Sequence, residues 1–300
     1  MFKSSALDKI NNVLITGGTH GNEMSGIQAV NNWITNKSEI QAIAPSIAIE
    51  LCLVNQAAIK ARARYIDEDL NRQFSLEKLT QRLQTSSPNE AKLAQAFNQQ
   101  YGPKGASVID FNIDIHNTTS NMGPTLIILV NDAFHQQLAR YVKHNMPKSI
   151  ILIEDYQDFK DFGYLCSVAR KGVMVEVGPQ VQGTLRADIY EQTVEMTSTI
   201  LAFIEEYNSG QIIELPAAEA FRLDTEFPYP VNKANERKAN IHRDLDGKDF
   251  SALLPGQPCF IDFDGNTILW EGKKTYPHFI GEVAYDHLNL AFATADKCLF

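Results

Sequence analysis

Between residues 12 and 207 the chain alternates short apolar runs with amphipathic stretches, and this alternation limits the fold more than any other feature. Asn12–Thr16 is apolar, partly β-branched, and stops at Gly17-Gly18. It reads as a buried strand entering a tight loop. Ile47–Val54, Val108–Ile115, Thr125–Val130, Ile150–Glu154 and Gly172–Val177 have the same strand character. Between these runs apolar residues recur at helical spacing, as Ile27, Val30 and Ile34 do in 25–35 and Ile200, Phe203 and Ile204 do in 188–207. A further helix is expected at 133–144, and two within 75–101, broken at Ser86-Ser87-Pro88. Strands alternating with helices imply an α/β sheet with helices on its faces.

The pattern changes near residues 208–216. Six of the twelve prolines lie from Pro216 onward and helical periodicity stops. Short strands are expected at 221–229, 239–242, 259–262, 267–270, 278–279 and 291–294, with turns such as Asp264-Gly265-Asn266 between them. The chain therefore divides into an α/β domain over 1–209 and a smaller β-rich domain over 210–300.

Charge removes one class of function. Lys plus Arg number 27 and Asp plus Glu 36, a net of −9. A chain this acidic is not a general nucleic-acid binder, because neutralising phosphates requires surplus cations. The four cysteines are scattered and form no CxxC pair, so they read as reduced thiols rather than a disulfide framework. No apolar run approaches the ~18 residues of a membrane span, and MFKSSALDKINN lacks the apolar core of a secretory leader. A cytoplasmic location is expected.

Reactive side chains concentrate at Gly17-Gly18-Thr19-His20-Gly21-Asn22-Glu23. The glycines allow a tight bend, and the three-residue spacing of His20 and Glu23 brings an imidazole and a carboxylate to one side of the chain. A catalytic zinc site takes three such ligands and leaves one position open; a glycine turn with a polar helix cap accounts for the same residues. The segment is neither GxGxxG nor GxxxxGK[ST], so it is not a nucleotide loop. His116 ends a strand, where α/β sheets gather ligands, and reads equally as a third ligand or a polar surface residue. Asp114, two residues earlier, shares its face. Glu176 stands inside the strand Val173–Val177, so it is paired, protonated or functional. Arg64 and Arg72, with Asn71, suit carboxylate binding through the planar guanidinium fork, or a solvated face salt-bridged by Asp67 and Asp69. Arg62 belongs to such a face.

Taken together, GGTHGNEMSG (17–26), RYIDEDLNR (64–72), DIHNTTSNMG (114–123), EVGPQ (176–180), QGTLRADI (182–189) and GEVAY (281–285) resemble the aspartoacylase/succinylglutamate desuccinylase family of zinc-carboxypeptidase-like hydrolases. The resemblance implies a carboxypeptidase-like α/β domain with a mixed central sheet, and a C-terminal β domain that narrows the entrance. It implies one Zn²⁺ per chain on His20, Glu23 and His116, with Glu176 as general base toward water and then acid toward the leaving amine. Arg64 then polarises the scissile carbonyl, Asn71 and Arg72 grip the α-carboxylate, and Tyr285 closes the pocket. The implied substrate is a small anionic N-acyl-L-amino acid, N-acetyl-L-aspartate first. The alternatives are aromatic N-acyl amino acids, N-succinyl amino acids, or a catalytically silent binding protein. The family also implies a homodimer.

Two positions depart from the aspartate-specific pattern. Cys166 and Asn289 stand where those members carry an Arg and a Lys for the substrate's side-chain carboxylate. Discrimination in favour of aspartate should therefore be weakened unless another cation, such as Arg170, fills the place.

Overall fold

The structure, a computed structural model, describes residues 9–211 and 213–300. The expectation that the first twelve residues carry no leader falls largely outside them. The first half runs β1 (Asn12–Gly17), α1 (Met24–Thr35), α2 (Lys37–Ile43), β2 (Ala48–Leu53), α3 (Gln56–Ala61), α4 (Leu76–Thr80), α5 (Asn89–Tyr101) and β3 (Phe111–Asn117). There follow β4 (Gly123–Ile128), α6 (Ala133–Asn145), β5 (Ile150–Ile153), β6 (Lys171–Gly178) and α7 (Ala187–Ser209). The last part is strand-rich: β7 (Glu219–Pro228), β8 (Ala239–Ile241), β9 (Pro258–Asp262), β10 (Thr267–Leu269) and β11 (Leu290–Leu299).

Eight strands form one mixed sheet in the order β11-β7-β5-β4-β6-β3-β1-β2. β2, β1, β3 and β6 are parallel, and β4 runs antiparallel to β6. Side chains alternate between its faces. Val13 and Ile15 pack with Val30 and Trp33 of α1 and Ile200, Phe203 and Ile204 of α7. Leu14 faces the other way, onto Phe97 and Tyr101 of α5. The sheet is thus covered on both sides, as the alternating pattern requires.

The last ninety residues are divided in their pairing. β7 and β11 extend the central sheet through β5, while β8–β10 form a separate three-stranded antiparallel sheet. That small sheet has its own core of Tyr229, Phe260, Trp270 and Phe292. His278 makes a single bridge to Ala293 and is no strand. β3 begins at Phe111 instead of Val108. The Ser107 hydroxyl accepts from the Ile109 amide at 3.0 Å and donates to the Tyr101 carbonyl at 2.6 Å, closing a turn that leaves Val108 exposed. α2 and α3 were absent from the sequence pattern because each buries one apolar residue, Ile40 and Ala58, too few to show a period.

The loop after β1 rests directly on α3. A Cβ built on Gly21 would lie 2.0 Å from the Ala58 carbonyl carbon and 2.3 Å from its oxygen. The obstacle is backbone, so it cannot swing aside. Gly21→Ala should lose roughly 1–3 kcal/mol through overpacking. Thermal unfolding should show a lowered Tm, and an unchanged Tm would mean that the loop can rise off α3 without cost.

Candidate active site

Three parallel strands deliver the reactive residues to one end of the sheet. β3 and β6 pair so that His116 lies opposite Glu176, and β1 pairs with β3 up to Gly17 against Ile115. The loop after β1 then carries His20 and Glu23 over the same end, just ahead of α1. Ligand sites at the carboxyl ends of strands are the rule for such sheets.

His20, Glu23 and His116 are each about 97% buried, and one ligand atom from each lies within 4.8 Å of the others. His20 Nδ1 is 2.6 Å and His116 Nδ1 2.9 Å from the Glu23 carboxylate. The far nitrogens are held by other carboxylates: His20 Nε2 by Asp69 at 3.0 Å and His116 Nε2 by Asp114 at 2.8 Å. Asp114 is itself fixed by the hydroxyls of Thr16 and Thr19, each at 2.8 Å. A carboxylate behind each imidazole sets its tautomer and ring orientation, the usual support of a metal-ligating histidine. Two imidazoles and a carboxylate, buried and converging, fit zinc.

The charges of the cluster are mutually compensated. Burial alone would raise Glu23, but the imidazoles of His20 and His116 hold it well below the ordinary carboxylate range. Burial disfavours charge on His116 too, and Asp114 and Glu23 reverse this and push it well above its ordinary value. Arg64 donates to Asp69 at 2.9 and 3.1 Å and to Glu23 at 3.2 Å. Glu176 differs from these. Its carboxylate makes no hydrogen bond or salt bridge among the described residues, and burial pushes it well up, with Glu23 and Glu282 opposing the pull of His116.

All eight candidate site residues line one cavity of about 40 Å³: His20, Glu23, Arg64, Asn71, Arg72, His116, Glu176 and Tyr285. Asn71 accepts from the Leu165 amide at 2.8 Å, which leaves its Nδ2 turned inward near Met174. Arg72 sits over the Tyr164 ring at 5.2 Å. Tyr285 comes from a turn at Val283–Leu288, anchored by Glu282. The Glu282 carboxylate accepts from the Thr118 hydroxyl and from the Thr119 amide and hydroxyl at 2.8 and 3.0 Å.

Among known proteins, the description "Succinylglutamate desuccinylase/Aspartoacylase catalytic domain" matches residues 9–204, and "AstE/AspA barrel-sandwich hybrid domain" matches 216–297. The chain belongs to this family. Its catalytic domain is that of an amide hydrolase. Aspartoacylase of Danio rerio is 40% identical across 97% of this chain and 93% of its own. The human N-acyl-aromatic-L-amino acid amidohydrolase (carboxylate-forming) is 37% identical across 98% and 92%. The crystal structure of murine aminoacylase 3 superposes with a TM-score of 0.91 at 36% identity, covering 98% of this chain and 97% of that one.

The two departures from the aspartate-specific pattern lie away from the cavity. Cys166 is fully buried beside Phe162 and Met174. Asn289 binds the Tyr229 carbonyl at 3.2 Å and accepts from Arg237 at 3.4 Å. Arg170 does not replace the missing cation. It is 64% exposed near Asp110 and bonds the Ser107 carbonyl at 2.9 Å, at the amino-terminal end of β3. Residues that the sequence did not single out also line the site, notably Glu154, Tyr164 and Glu282. Glu154 follows an apolar strand run, the same position that marked His116.

The loop bearing Arg64 and Asp69 is pinned by Glu90 of α5. This buried carboxylate accepts from the amides of Ile66, Asp67 and Glu68 at 2.8, 3.0 and 3.2 Å and from Asn55 at 3.1 Å. Burial would raise its pKa, but these bonds outweigh burial and depress it below its ordinary 4.5. A depressed carboxylate contributes stability in full above its unfolded value and loses it as pH falls through the folded one. Glu90→Gln should therefore lower stability by roughly 1–3 kcal/mol at pH 7. In denaturant titrations the deficit should shrink as pH falls below 4.5; a pH-independent deficit would assign the effect to packing.

Proposed function

We propose that this protein is a zinc-dependent amidohydrolase that removes a short acyl group from small N-acyl-L-amino acids. The observation that carries this reading is the Glu176 carboxylate beside three converging donors, without a hydrogen bond or salt bridge among the described residues. A protein that only binds has no use for an uncommitted base there. Zinc, when bound, lowers the pKa of water to about 7 and polarises a carbonyl.

The chain's own residues account for the rest. Glu176 takes a proton from the attacking water as its oxygen bonds to the amide carbon. It then gives that proton to the amine nitrogen as the C–N bond breaks, yielding a carboxylate and an amino acid. A raised pKa suits a group that accepts and returns one proton near neutral pH. Arg64 faces the oxyanion as it develops. Arg72 and the inward Nδ2 of Asn71 receive the α-carboxylate. A cavity of about 40 Å³, against the ~10–15 Å³ that one water needs, suits a short acyl group such as acetyl.

N-acetyl-L-aspartate leads the expectation from sequence. The lining favours the alternative of a non-acidic side chain. Arg72 is the one cation that lines the adjoining cavity among the described residues, while Tyr156, Tyr164, Phe279 and Phe292 form its walls.

His116→Ala should abolish zinc retention while far-UV circular dichroism stays native. Near-stoichiometric zinc in that variant, measured by atomic absorption, would remove His116 from the ligand set. Glu176→Gln is nearly isosteric and should keep zinc. Its kcat for a deacylated N-acetyl amino acid should fall by ~10²–10⁴ with KM little changed. Near-normal turnover would end the general-base assignment.

A further inference from the structure

Beside the metal pocket lies a larger cavity of about 420 Å³ that shares Arg72, Glu154, Tyr164, Phe279 and Tyr285 with it. Glu154 follows β5 and is 6% exposed. One long hydrogen bond reaches its carboxylate, from the Tyr164 hydroxyl at 3.4 Å, and no Lys, Arg or His lies within salt-bridge distance among the described residues. Burial pushes this carboxyl up to about 7 although Arg72 pulls it down. At the rim Glu226 is exposed and has no cation partner among the described residues, whereas Asp224 is occupied by Lys273 at 3.2 Å.

A buried carboxylate lacking a counter-charge is costly, and here it fronts a space large enough for a long side chain. If Arg72 is engaged by the α-carboxylate, the substrate's side chain enters a compartment lined by three carboxylates, of which Glu154 and Glu226 have no cation partner among the described residues, and by no other Lys or Arg among them. Tyrosine rings line the way in, and aromatic faces attract guanidinium and ammonium groups. A guanidinium also matches a carboxylate in planar, two-point fashion.

We propose that this cavity is a side-chain subsite for cationic N-acyl-L-amino acids, Nα-acyl-arginine and Nα-acyl-lysine above all, with Glu154 as the group that receives the cation. The proposal rests on the deacylase reading and narrows its substrate class. It runs opposite to an aspartate-selective site, since the buried group at the side-chain end is a carboxyl, which a bound cation would hold ionised.

The test compares substrates matched in shape and differing in charge: Nα-acetyl-L-arginine against Nα-acetyl-L-citrulline, and Nα-acetyl-L-lysine against Nα-acetyl-L-norleucine. With the zinc-loaded enzyme, kcat/KM for the cation should exceed that of its neutral partner by at least tenfold, carried mainly by KM. Glu154→Gln and Glu154→Ala should each bring both ratios to within about threefold of unity, with folding checked by thermal melts. Equal or better use of citrulline and norleucine by the wild type would overturn the subsite while leaving the deacylase intact. A cation preference that survives both Glu154 substitutions would overturn the role of Glu154. No hydrolysis of any of the four, nor of N-acetyl-tyrosine or N-acetyl-aspartate, would sink the deacylase reading and the subsite with it.

Discussion

The parallel pairing of β1, β3 and β6 is the constraint on which the site depends. Because paired residues of parallel neighbours point to the same face, the register that sets His116 against Glu176 also fixes on which side of the sheet both side chains stand. A slip of one residue in β6 would turn Glu176 to the opposite face. The apolar alternation of Val173, Val175 and Val177 against the helical layer prevents that slip. Packing on one face therefore sets chemistry on the other.

Burying so many ionisable groups is tolerable only because they are interlocked. Glu23 touches both imidazoles and Arg64, Asp69 touches His20 and Arg64, and Asp114 touches His116 and two hydroxyls. Breaking a buried pair by removing one partner typically costs about 3–5 kcal/mol. The network therefore acts as a scaffold as well as a set of reactive groups. Glu176 stands outside it, without a hydrogen bond or salt bridge among the described residues.

The layered α/β class and most strand positions were legible in the sequence because buried strands write themselves as apolar runs. His20, Glu23, His116 and Glu176 were legible because they stand in a glycine-bent loop or on apolar strands, Arg64 and Arg72 with Asn71 because they form a basic cluster, and Tyr285 through the resemblance alone, which joined all eight into one set. What stayed hidden depends on long-range pairing. Nothing local says that β7 and β11 join the central sheet. α2 and α3 each bury a single residue and leave no period. Glu154 escaped notice because one carboxylate after an apolar run gains meaning only when a cavity is seen in front of it.

The Glu282 anchor has a mechanical consequence. The turn that carries Tyr285 is bonded to the Thr118–Ser120 loop, and that loop directly continues the strand bearing His116. Roof and floor of the pocket are thus one body. A hinge that lifted the turn would strip a buried carboxylate of its donors. Any displacement of Tyr285 is thus transmitted to the segment that follows His116, and the two walls of the cavity are mechanically coupled.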